Sequence, residues 1–81
     1  MQDESKWKSH DFYLCAVCLA SGASLVSVKK TDSGFSVFTL DISPEQANQI
    51  ITNHWNRKLK LPTKDVLEAV HQLKTRLYSG V

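Results

Sequence analysis

The chain has 81 residues, enough for one domain with a thin core and too few for two. Apolar residues make up 42% and charged residues 22%, ordinary values for a globular domain, and three glycines with two prolines exclude collagen-like and low-complexity chains. A formal net charge of +2 is too mild to imply a nucleic acid or an anionic membrane by itself.

Two cysteines are too few for a disulfide scaffold, so a reducing cytoplasmic setting is the expectation. The run Phe12 to Ala20 is apolar, follows Lys6 and Lys8, and precedes the small residues Ser21 to Ser24. That order is reminiscent of a secretory signal. Asp3, Glu4 and Asp11 contaminate its basic part, however, and cleavage would remove a helix that the core needs. The run is also far too short to span a bilayer.

Residues 1–8 read as a flexible tail with a single anchor, Trp7, and residues 9–81 as one domain. A first helix is expected from Ser9 to about Ser21, capped by Ser9 or Asp11 and ended by Gly22. Its apolar residues are nearly continuous, which predicts burial on most sides. Ser24 to Lys30 and Phe35 to Leu40 read as two strands around the turn residues Thr31-Asp32-Ser33-Gly34, an antiparallel hairpin. Phe35 and Val37 point one way and Phe38 and Leu40 the other, so a strand is either covered on both sides or bulged.

Ile42-Ser43-Pro44-Glu45-Gln46-Ala47 is the clearest local signal. Ser43 is the N-cap, Pro44 the first helical residue, Gln46 completes a capping box, and Ile42 can staple to Ala47. Ala47, Ile50, Ile51, His54 and Trp55 then follow at helical spacing along one face, with the end near Asn56. On this pattern Trp55 is a core anchor and His54 a core or boundary residue. Leu59-Lys60-Leu61 alternates for one period and is either a connector or a short third strand near 58–61. Thr63 then caps a last helix that carries Val66, Val70, Leu73 and Leu77 on one stripe and stops at Gly80. The sum is a small α+β domain: an N-terminal helix, a hairpin and two C-terminal helices packed on the sheet.

The order Phe12-Tyr13-Leu14-Cys15-Ala16, Gly22, hairpin, Ser43-Pro44 and His54-Trp55-Asn56 resembles a family of short bacterial and phage proteins catalogued only as a domain of unknown function. The resemblance covers roughly residues 9–78. Here His54 stands where the family has Tyr, and Arg57 where Gly is common. The resemblance implies a fold and no activity, and it transfers no catalytic residue.

Cys15 and Cys18 have the CxxC spacing of redox and zinc sites. They lie inside an apolar helix, with no flanking Trp, Gly or Pro, and a second ligand pair would have to come from His10, His54 or His71. Small core residues are the favoured reading. His71 falls off the apolar stripe and reads as solvated; His10 sits near a helix start. The chain has no nucleophile elbow, Gly-rich phosphate loop, paired carboxylates or HExxH, so no catalytic residue, metal site or cofactor is assigned and an enzyme is not expected. Residues 57–81 hold six basic residues against two acidic ones. Lys29, Lys30, Arg57, Lys58, Lys60, Lys74 and Arg76 would form one basic patch if the last helix packed beside the hairpin, with Trp55 or Phe35 free to stack on a base. The favoured reading is a cytoplasmic, non-enzymatic binding module acting through a protein partner or self-association. The alternative is nucleic-acid binding through that patch. Neither a membrane nor a small-molecule substrate is indicated.

Overall fold

A computed structural model describes residues 6–78. In chain order they form β1 (Trp7–Ser9), α1 (Phe12–Ala20), β2 (Leu25–Lys30), β3 (Ser36–Leu40), α2 (Pro44–Trp55) and α3 (Thr63–Tyr78). The domain is α+β, as the sequence pattern predicts. Residues 1–5 of the expected tail and the expected stop at Gly80 lie outside the described residues.

The helix ends follow local chemistry. The Asp11 carboxylate accepts from the amides of Tyr13 and Leu14, both at 3.1 Å, and so caps α1. Ser9 is not the cap; its hydroxyl accepts from the Asp11 amide at 3.0 Å and braces the residue that is. α1 closes with the amide of Gly22 on the Leu19 carbonyl and that of Ala23 on the Cys18 carbonyl, the paired bonds of a Schellman end. Gly22 has φ +119°, a conformation open to glycine and strained for other residues. At α2 both halves of the capping box form: the Gln46 amide donates to Ser43 Oγ at 3.1 Å, and the Ser43 amide to Gln46 Oε1 at 3.4 Å. Thr63 is the first residue of α3 and not its cap, because the Pro62 carbonyl already accepts from the Asp65 and Val66 amides.

The sheet is antiparallel with strand order β1-β3-β2. Its third strand is Trp7–Ser9, not residues 58–61. Trp7 and Lys8, expected in a flexible tail, therefore belong to the sheet. The Trp7 amide also donates to the Ile42 carbonyl at 2.8 Å, and Lys6 pairs with Asp41 at 3.7 Å. Residues 59–61 form a connector in which Leu59 and Leu61 are half-buried, so their alternation marks one side lying against the domain. A bulge exists, but in β2 and not in the strand over residues 35–40 whose pattern suggested one: the register shifts between Leu25 and Ser27 and leaves Val26 outside the ladder. The hairpin turn closes with the Thr31 amide on the Phe35 carbonyl and the Gly34 amide on the Thr31 carbonyl; Gly34 has φ +92°.

Period-two alternation then decides what each strand faces. Trp7, Leu25, Val28, Phe38 and Leu40 share the inner face and belong to the packed core. Cys15, Ala16, Cys18 and Leu19 of α1, Ala47 of α2, and Ala69 and Leu73 of α3 complete it. α1 lies between β3 and the other two helices, which is why its sequence is apolar almost throughout. α1 and α3 run antiparallel: Phe12 and Tyr13 meet Lys74, Leu77 and Tyr78 at one end, and Leu19 and Ala20 meet Asp65, Glu68 and Ala69 at the other. Lys8, Ser27, Lys29, Val37 and Thr39 take the outer face, and none of them joins the core. Among the described residues no helix is long and apolar enough to cross a membrane.

Candidate functional site

Cys15 and Cys18 are free thiols and fully buried. Burial pushes the Cys15 thiol up to about 12; a Cys18 thiolate and Asp11 push the same way, against the Ser9 hydroxyl. Burial alone takes Cys18 to about 11. Thiols held this high are protonated at neutral pH and are poor nucleophiles and ligands. Among the described residues no three His, Cys, Asp or Glu side chains cluster closely enough to hold a metal ion.

The seven basic residues singled out in the sequence do not converge. α3 packs chiefly on α1 and not beside the hairpin. Arg57, Lys58 and Lys60 precede α3 and Lys74 lies near its far end; at 1.5 Å per residue the helix runs about 16 Å from Thr63 to Lys74. Lys29 and Lys30 close β2 and point to opposite faces of the sheet, opposite Val37 and Ser36 respectively. Arg76 is half-buried on the last turn of α3.

Two further placements differ from the sequence pattern. Trp55 is 68% exposed and is not a core anchor, and His54 beside it is exposed too, their rings 5.1 Å apart. Ala47 is buried and Ile50 and Ile51 half-buried, so the last turn of α2 runs past the body of the domain. His71 is exposed, as its position off the stripe predicts.

The structure brings together a group that the sequence reading did not select. Where α1 begins and α3 ends, Phe12, Tyr13, Lys74, Leu77 and Tyr78 line a groove of about 250 Å³. Phe12 is its root: its ring meets the buried Phe38 edge-on at 6.1 Å and Tyr13 at 5.4 Å. Tyr13 and Tyr78 are 73% and 80% exposed, so two large aromatic side chains stand in water on an apolar floor. The sequence held one signal for this, a tyrosine inside an otherwise apolar run. A second hollow, along Glu45, Asn48, Gln49, Thr52 and Asn53, is walled by α2 alone and lies wide open.

Neither open sheet edge is an inviting template. β1 is three residues long, and β2 carries the Val26 bulge and ends in two lysines. Short strands, bulges and edge lysines all oppose pairing with another strand.

No family model, curated protein or solved structure matches the chain.

Proposed function

We propose that this chain is a small, non-enzymatic binding module that docks on a protein partner through the groove between the start of α1 and the end of α3. One observation carries the reading: Tyr13 and Tyr78 stand exposed over a floor of Phe12 and Leu77 that is continuous with the core. Rigid aromatic side chains beside an apolar pocket are what concentrates energy in protein interfaces. Lys74 at the rim adds one positive charge and favours a partner surface with a carboxylate there. The blunted sheet edges make this groove a better contact than strand addition. The buried, protonated thiols fit a role without thiol chemistry, and their use as free core residues supports a cytoplasmic setting. The resemblance to short bacterial and phage proteins adds a fold expectation to this reading and no activity.

A photoreactive phenylalanine analogue placed at Tyr78, with a control at Asn48, tests it in cells. The expected result is one discrete protein adduct from Tyr78 and none from Asn48; an adduct with a second copy would identify the self-associating form. Equal labelling from both positions, or none from Tyr78, overturns the reading.

A further inference from the structure

We propose that the uncovered face of the sheet binds single-stranded nucleic acid, at a site separate from the groove. The helices all pack on the face that carries Phe38 and Leu40. On the other face Lys8 and Ser27 flank the buried Thr39 across the three strands, with Lys29 and Val37 paired one step along. Lys6 and Asp41 extend the same rows past Lys8 and Thr39. Asp41, the acidic residue of these rows, is already held by Lys6 at 3.7 Å, and neither Lys8 nor Lys29 lies within ion-pair distance of a described carboxylate.

The aromatic component stands at the hairpin end. Phe35 is 59% exposed and its ring rests on that of His10 at 5.5 Å. His10, two residues after Lys8, and Phe35, two before Val37, continue the rows that Lys8 and Val37 occupy. The surface thus joins an exposed ring pair, the half-buried hydroxyl of Ser27 and flanking lysines; Thr39, at the centre of the middle strand, is buried beneath its neighbours. Stacking on rings, hydrogen bonds to base edges and neutralisation of phosphates are the three contacts by which sheet surfaces hold single strands. Strands about 4.8 Å apart make this face about 10 Å wide, room for one strand of nucleotides. Among the described residues no helix or ribbon stands on this face to enter a major groove, so a duplex is poorly served.

Fluorescence anisotropy with labelled oligo(U) and oligo(dT), of about 15 nucleotides each, tests the proposal. The expected result is micromolar binding of at least one strand, weakening about sevenfold between about 50 and about 200 mM salt, as two neutralised phosphates require. Lys8→Glu with Lys29→Glu should weaken binding at least about tenfold, and Phe35→Ala at least about fivefold. These side chains are exposed, and circular dichroism of each variant verifies that the fold is retained. Tyr78→Ala should leave oligonucleotide binding unchanged, which separates this face from the groove. Absence of binding to both strands at about 50 mM salt overturns the proposal. So does a Lys8/Lys29 variant that binds like the parent, or loss of binding on charge reversal at Arg57, Lys58 and Lys60 instead.

Discussion

The amide of Lys58 reaches back to the carbonyl of Asn53 at 2.8 Å, and Arg57 between them has φ +61°. With the Arg57 amide on the His54 carbonyl at 3.1 Å, these bonds form a complete Schellman end for α2. The motif wants glycine at its left-handed position, and an arginine there bears the steric cost of its Cβ. Asn56 remains on the right-handed side, at φ −87°, so the reversal falls on Arg57 alone.

Arg57→Gly should therefore stabilise the domain. Relief of the left-handed strain exceeds the extra chain entropy of glycine by roughly 0.5–1 kcal/mol. A urea titration should show a higher midpoint with an unchanged slope. A lower midpoint would mean that the arginine side chain contributes more than its backbone costs.

Asp11→Ala should cost about 1 kcal/mol, because one carboxylate satisfies two amides at the start of α1. Asp11→Asn should recover most of that, since an amide oxygen can accept the same bonds. The comparison is again a denaturant midpoint. A loss that asparagine does not repair would shift the weight from the hydrogen bonds to the negative charge at the helix start.

The thiols set an alkaline limit. Both folded-state values are raised from the ordinary 9.0, to about 12 for Cys15 and about 11 for Cys18. Above pH 9 the unfolded chain releases thiol protons that the folded chain keeps, so stability is complete below that point and declines as pH rises through the interval. The slope is at most about 1.4 kcal/mol per pH unit for each thiol. Urea midpoints at about pH 8 and about pH 10 should fall less for Cys15→Ala/Cys18→Ala than for the parent. A thiol reagent should modify the folded parent slowly and the unfolded chain at once.

Trp55 and Leu73 invert the usual ranking by size. Leu73 is fully buried and Trp55 is 68% exposed. Leu73→Ala should cost about 2–5 kcal/mol and Trp55→Ala less than about 1 kcal/mol. Thermal or chemical unfolding of the two variants side by side gives the answer. A large loss for Trp55→Ala would place that ring in the fold's interior.

Signals confined to a few residues were the most legible. Ser43, Pro44 and Gln46 act within one helical turn, and Gly34 answers to its own φ, so composition and spacing found both. β1 left almost no trace, because Trp7-Lys8-Ser9 is a single period and its pairing partner, β3, lies beyond a helix and another strand. Leu59-Lys60-Leu61 shows the same alternation without a partner strand, and the pattern alone cannot separate the two cases. Trp55 continues the apolar stripe of α2 correctly, but a stripe says which way a side chain points and not whether anything lies there. The groove was hidden for a similar reason. Phe12 and Tyr78 stand at opposite ends of the chain's helical sequence, and only the antiparallel seating of α1 on α3 joins them.

The pairing of Trp7 with Leu40 also orders events during synthesis. Among the described elements β1 leaves the ribosome first, and the strand it needs emerges after α1 and β2. β2 and β3 can pair as soon as Leu40 emerges, across a short turn. β1 must wait for the edge that this pairing leaves free, with α1 emerging in the interval and no sheet to cover it. The start of the chain is thus seated by its middle, and any growing chain cut short before β3 has an apolar helix with nowhere to go.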